Sequence, residues 1–429
     1  MRYTRVLALP LAVLAANACR DAGARTTLAE PETVSAATTV GAAPMFAIAP
    51  SGKRAVAWIS APGGGTDGRL YLSADGKAPS ELRDTLGPIE PHGEAPPKIS
   101  YGPDGTLYAL YAVGKVVPGR RFPMSSLRLA KSSDDGATWT SPVTIASDSA
   151  FGTRNFHALH VGADSSLYVA WLESQQGTSK TFLTRSTDGG TTWTTPALAD
   201  PNQSCPCCRT AIATASDGTL YLAWRTVLPG NIRDVVVARS TDHGVTWAPP
   251  VRVHADNWVF DGCPHAGPSM QVDSAGTLHI VWWTGKQGAA GTFYARSTDK
   301  AASFQQPVAL GVGEFSAPAH VQLAVGSNGK VVAVWDDGTV KLPKVVMRVS
   351  HDGGTSFSPA TLVSKEGSAG TFPVLALRDN DLTIAWSEQS QQEHQHVKET
   401  APNMKDPKVE KGLSRVGESA VRVRSGRLQ

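Results

Sequence analysis

One short pattern recurs five times in this chain: Ser132-Ser133-Asp134-Asp135-Gly136-Ala137-Thr138-Trp139, then Ser186 to Trp193, Ser240 to Trp247, and the weaker copies Ser297 to Phe304 and Ser350 to Phe357. A fixed-period repeat constrains architecture more than any single element does. The consensus, Ser-x-Asp-x-Gly-x-Thr/Ser-Trp/Phe, suits a tight hairpin. The Ser and Asp side chains can bond nearby backbone groups, Gly admits positive φ, and the aromatic packs beneath.

A second recurring element marks the strands: a polar Gly/Asp/Asn turn, then an apolar run ending in an aromatic. The ends fall at Trp58, Tyr111, Trp171, Trp224, Trp282, Trp335 and Trp386, which makes seven units. Within one unit, Arg209 to Ala215 reads as an inner strand, Leu220 to Trp224 as the second and Val235 to Arg239 as the third, with Pro250 to Val253 outermost. Four short antiparallel strands per unit match a propeller blade. The expectation is therefore an all-β, seven-bladed propeller of four-stranded antiparallel blades, with six blades as the alternative. The last unit lacks its own turn motif. Its third strand is expected at Ala420 to Arg424, with Pro31 to Ser35 supplying the outer strand and closing the ring.

The 41 Gly, 29 Pro and 11 Trp among 429 residues suit a turn-rich β protein. The net charge of +3 is small and its basic residues are scattered, which argues against nucleic acid as a partner. Residues 1–18 combine a charged head, the apolar run Val6 to Ala16 and a small-residue cleavage site, and read as an export signal. Cys19 resembles the lipid-accepting Cys of bacterial lipoproteins, although Ala16 stands where that motif usually has Leu. The expectation is a periplasmic or cell-surface protein, lipid-anchored to a membrane through Cys19, and Arg20 in place of Asp favours the outer membrane. No later stretch has the ~18 continuous apolar residues of a membrane span. Residues 19–30 read as a linker and 31–429 as one propeller, with a long polar loop over 387–419.

The octapeptide is similar to the Asp-box of the bacterial neuraminidase repeat, and the chain resembles the sialidase superfamily over most of its length. That resemblance implies that Asp134, Asp188, Asp242, Asp299 and Asp352 are structural turn residues. It also implies a Tyr nucleophile with a neighbouring Glu, three Arg for a substrate carboxylate, and an Arg-Ile-Pro motif in the first blade. Here the first blade reads Phe46-Ala47-Ile48-Ala49-Pro50, and the last Tyr is Tyr294, before the blades where the nucleophile is expected. Arg154, Arg209 and Arg225 remain candidates near the ring mouth. Catalytic residues are not assignable from the sequence, and sialic acid hydrolysis is disfavoured.

The unusual chemistry lies in segments that enter inner strands. These are Asn155-Phe156-His157-Ala158-Leu159-His160, Cys205-Pro206-Cys207-Cys208-Arg209 and Asp261-Gly262-Cys263-Pro264-His265, together with His92, Glu94 and His320. Propeller geometry converges such connections on one channel mouth. Cys205, Cys207, Cys208 and Cys263 are therefore expected to meet there, with His265 and His157 beside them. Thiolate and imidazole suit copper or zinc. Structural disulfides are the competing reading for an exported chain, and a redox-active Cys205/Cys208 pair is a third. Further metal donors are His160 and His320, and His394 and His396 on the long loop. Three functions stay open: a binding module for a small ligand, glycan or envelope protein; a copper/zinc or redox envelope protein; and a divergent exo-glycosidase. A carboxylate pair at the mouth, drawn from Glu94, Glu173, Asp261, Asp336 and Glu388, would favour the last.

Overall fold

The computed structural model describes residues 26–35, 42–60, 67–119, 124–145, 151–175, 177–314, 316–390 and 419–429. Seven antiparallel sheets form the blades of a ring, and none of the described residues is helical. Blade 4 is representative: Ala211–Thr214 is innermost, followed by Leu220–Arg225, Val235–Ser240 and Val251–Arg252. The expected strands are all present, with the inner and outer ones shorter than their sequence signatures.

The seven aromatic ends explain why the blades pack. Trp58, Tyr111, Trp171, Trp224, Trp282, Trp335 and Trp386 are all buried. Three stack on the aromatic directly opposite in the next strand: Trp58 on Tyr71, Trp171 on Phe182 and Trp282 on Phe293, with centroids 6.1, 5.9 and 6.0 Å apart. Such cross-strand pairs fix register as well as burying area.

All five Asp-boxes have one hydrogen-bond pattern. In the first, Ser132 Oγ donates to Asp134 Oδ1 at 2.7 Å and accepts from the Gly136 amide at 2.8 Å, while the Thr138 amide donates to Asp134 Oδ1 at 2.8 Å. Asp188, Asp242, Asp299 and Asp352 accept the corresponding amides of Thr192, Thr246, Ser303 and Ser356 at 2.9 to 3.0 Å. These carboxylates are committed to their own turns. The fourth box places Ala301 at φ 61°, where the first, second, third and fifth have glycine.

The last blade joins the two chain ends. Ser368–Arg378 pairs with Asp381–Ser390, which pairs with Ala420–Arg427, on which Thr27–Leu28 and Glu32–Thr33 lie as the outer strand. Glu32 faces Val423 and Thr33 faces Arg422. The Val34 amide donates to the Val421 carbonyl at 3.0 Å, and Ser35 Oγ accepts the Val421 amide at 3.0 Å. Pairing begins at Thr27, inside the stretch read as linker, because two residues are too few to carry a strand signature. At the other boundary the second strand runs to Ser390, past the start of the expected loop. Cys19, His394 and His396 lie outside the described residues.

Candidate functional site

Connections between blades converge on one mouth of the channel, and several are held in strained backbone. Ala43, Phe156, His265 and Phe372 adopt φ of 49°, 53°, 53° and 53°. The first two and the last sit in bulges where inner-strand register shifts. Positive φ in non-glycine residues costs about 1 to 3 kcal/mol each and persists only where surroundings impose it. Around His265 the rings of His92 and Phe156 lie 6.3 and 6.1 Å away, so residues entering blades 2, 3 and 5 meet here.

The Cys-bearing loop is pinned before it reaches this point. The Ser204 amide donates to the Ser179 carbonyl and the Cys205 amide to that of Arg225, both at 2.8 Å. Cys205, Cys207 and Cys208 then pack with Ala95, Phe156 and Leu172. Their sulfurs lie within 4.8 Å of one another, with Cys205 3.4 Å from Cys208 and 3.8 Å from Cys207. Cys207 also belongs to a second group, in which its sulfur, that of exposed Cys263 and a ring nitrogen of His265 lie within 4.8 Å of one another. His265 Nδ1 is buried without a hydrogen-bond partner. All four thiols and His265 are thus brought together.

Buried positive charge flanks the thiols. The guanidinium of Arg225 donates to the carbonyls of Arg233 at 2.6 Å, Trp283 at 2.5 Å and Ala266 at 3.0 Å. Arg233 Nη1 lies 3.2 Å from Cys205 Sγ, while its other contacts go to the Asn231 side chain. Neither guanidinium pairs with a carboxylate among the described residues. Hydrogen bonds from Cys207 and Cys208 pull the Cys205 thiol well below its ordinary range, against burial, and the charges of Arg225 and Arg233 add to the effect. Cys207 is pushed up by its hydrogen bonds with Cys205, Cys208 and Cys263, and Cys208 by burial and then by Cys205.

Beside it lies a second polar group that no sequence period relates. His320 Nδ1 is 2.6 Å from Asp336 Oδ2, and its Nε2 is 2.7 Å from Glu94 Oε2. Asp336 also accepts the amides of His320 at 2.5 Å and Phe372 at 3.1 Å. The Phe372 ring lies against the imidazole, with centroids 4.1 Å apart. Burial lowers the His320 pKa, but the charges of Asp336 and Glu94 outweigh it and hold it at about 9. Burial raises that of Glu94, but His320, with smaller contributions from His265 and Arg209, brings it to about 2.

The remaining candidates are placed elsewhere or otherwise engaged. His157 is buried beside Lys98, outside both sulfur groups, and burial drives its pKa well down. His160 Nε2 lies 2.8 Å from Thr214 Oγ1, tying blade 3 to blade 4, and burial lowers its pKa to about 4. Both His320 nitrogens face carboxylates. Arg154 pairs with Glu173 at 3.3 Å, Arg225 with carbonyls, and Arg209 has Glu94 and Asp336 as its charged neighbours. Glu388 is held by Arg422 at 2.9 Å, and Asp261 is exposed.

Fold and repeats together define an Asp-box β-propeller, sialidase-like in architecture. The chain belongs to the BNR repeat-like domain family, which it matches over residues 90–259 and 166–397. Three solved structures share its fold. A protein of unknown function from Dyadobacter fermentans DSM 18053 is 16% identical, with TM-score 0.52, over 94% of this chain and 99% of that one. An ulvan lyase of a new polysaccharide lyase family is 13% identical, with TM-score 0.52, over 85% and 92%. An α-L-arabinanase from Penicillium chrysogenum is 13% identical, with TM-score 0.50, over 76% and 98%. No curated protein matches the sequence.

Proposed function

We propose that this protein is a non-hydrolytic binding propeller, exported and anchored through Cys19, whose channel mouth holds a soft metal ion, copper(I) or zinc. Cys205, Cys207 and Cys208 are the principal donors, with Cys263 and His265 alongside. The observation that carries the reading is the convergence of three buried sulfurs beside two buried guanidiniums that pair with no carboxylate among the described residues. Neutral disulfides, Cys205 with Cys208 and Cys207 with Cys263, would leave those cations without an anion. A metal held by thiolates supplies the negative charge. Sulfurs on one ion, each bonded at about 2.3 Å, lie no more than ~4.6 Å apart, and the observed spacings meet this with small movements. Metal analysis of protein purified without chelator, with a free-thiol count, tests the reading. Bound metal with unoxidised Cys205, Cys207 and Cys208 is expected; metal-free protein with no free thiols overturns it.

A hydrolase is the second reading, favoured by Glu94 and Asp336 at the mouth. Its limits are chemical: a carboxyl at about 2 is ionised at neutral pH and cannot protonate a leaving group, so His320 would have to act as the acid. Release of sugar from glycans, abolished by Glu94→Gln, would establish it. The solved relatives named for lyase and arabinanase activities support a glycan as the class to try first.

A further inference from the structure

The two donor groups share one sulfur and differ sharply in exposure. We propose that they are two metal sites in series, an outer capture site of Cys207, Cys263 and His265 and an inner holding site of Cys205, Cys207 and Cys208, loaded with copper(I) through Cys207. This rests on the soft-metal reading above. Cys263 is exposed and His265 half-buried, whereas Cys207 is 4% exposed and Cys205 and Cys208 are 0% exposed. An ion arriving from solvent therefore meets Cys263 and His265 first, and Cys207 is the only donor common to both groups.

Donor chemistry selects the ion. The inner group is all sulfur, set among Ala95, Phe156 and Leu172, and among the described residues none of its partners is a carboxylate. Zinc usually completes four ligands, whereas soft thiolates select copper(I), an ion satisfied by two or three. The imidazole of the outer group accepts either metal, so selection falls on the second step. Transfer is ligand exchange with no change in oxidation state. The bond to Cys207 is kept while bonds to His265 and Cys263 break and bonds to Cys205 and Cys208 form. Counted from neutral Cys205 and Cys208 thiols, two protons are released at the inner site and Cys263 regains one, leaving one for solvent. Arg225 and Arg233 offset the charge of the resulting thiolate complex, and Arg225 also holds the Ala266 carbonyl that follows His265, which sets the distance between the two groups.

The test is anaerobic titration of the full chain with copper(I), supplied as its acetonitrile complex. Affinity is read by competition with a chromogenic chelator, and loading rate by stopped-flow absorbance. The double variant Cys263→Ser/His265→Ala changes residues at the rim and should reach the same inner-site affinity, but load about 10-fold or more slowly. Cys205→Ser should lose tight binding and keep a weaker, fast phase. A double variant that loads at the wild-type rate overturns the outer site. Equal affinity loss in the double variant and in Cys205→Ser would mean a single site and overturn the series arrangement, with the soft-metal reading intact. Wild-type protein with reduced thiols that binds neither copper(I) nor zinc overturns the soft-metal reading itself.

Discussion

His320, which opens blade 6, meets Glu94, which enters blade 2, with Nε2 and Oε2 2.7 Å apart across 226 residues of sequence. With Asp336 on its other nitrogen, the imidazole is held as a cation between two carboxylates. Because its folded pKa of about 9 exceeds the unfolded value of 6.5, its contribution is full below pH 6.5 and is lost as pH rises through 9. Glu94, lowered to about 2, contributes fully above 4.5 and loses that contribution as pH falls toward 2. Glu90, which burial raises to about 7, adds a separate decline between 4.5 and 7. Subtracting a variant therefore isolates His320. We expect wild type to lose about 3 kcal/mol of stability between pH 6 and 10 relative to His320→Gln. Parallel urea-melt profiles for the two proteins would refute the ion pair.

This pairing marks the limit of what the sequence discloses. Blades are legible because strand alternation, turn chemistry and the terminal aromatic are local, and each unit repeats them. The meeting of the Cys segments follows from topology once the blades are counted. Glu94, His320 and Asp336 are each visible as candidates, but nothing local says that they touch. The bulges at Phe156 and Phe372 are also hidden, because phenylalanine has no propensity for positive φ and nothing local in the sequence marks it there. Thr27–Leu28 is missed because its partner lies at the opposite chain end.

In the fifth Asp-box glycine is favoured by conformation and required by space, whereas the fourth accommodates Ala301 at the same position. Gly354 has φ 84°, and a Cβ there would stand 1.9 Å from the hydroxyl and 2.4 Å from the ring of buried Tyr294. Tyr294 cannot retreat easily, since its hydroxyl is 2.6 Å from His279 Nδ1 and Phe357 packs edge-on against it. Gly354→Ala should destabilise by about 2 to 4 kcal/mol, combining backbone strain with overpacking. Chemical denaturation measures this, and a loss below about 0.5 kcal/mol would contradict the geometry.

Ring closure depends on few bonds, so single changes at the seam should register. Val34 donates its amide to Val421 and packs on the blade 1 core. Val34→Pro removes that donor and should cost about 1 to 3 kcal/mol, while exposing the edge of Ala420–Arg427 to pairing with another chain. Light scattering during thermal unfolding should show earlier association than in wild type. An unchanged melting temperature would mean that the outer strand is dispensable.

Arg225 carries the most distinctive demand, because its guanidinium bridges the strand that anchors the Cys205 loop and the segment that bears Cys263 and His265. It serves three carbonyls, of Arg233, Ala266 and Trp283, and lies over the Trp258 ring with its guanidinium carbon 5.2 Å from the centroid. A lysine ammonium is a point charge and cannot reproduce that planar fork. Arg225→Lys should therefore leave at least one buried carbonyl without a donor, at a cost of about 1 to 3 kcal/mol. It should also loosen the Ala266 segment, so that Cys207 separates from Cys263 and His265. The specific readout is thiol reactivity. In reduced, metal-free protein Cys207 should be slow to alkylate in wild type and faster in Arg225→Lys, with Cys263 fast in both, as counted site by site by mass spectrometry. If Cys207 stays protected in a variant that still folds, Arg225 does not hold the two halves of the mouth together.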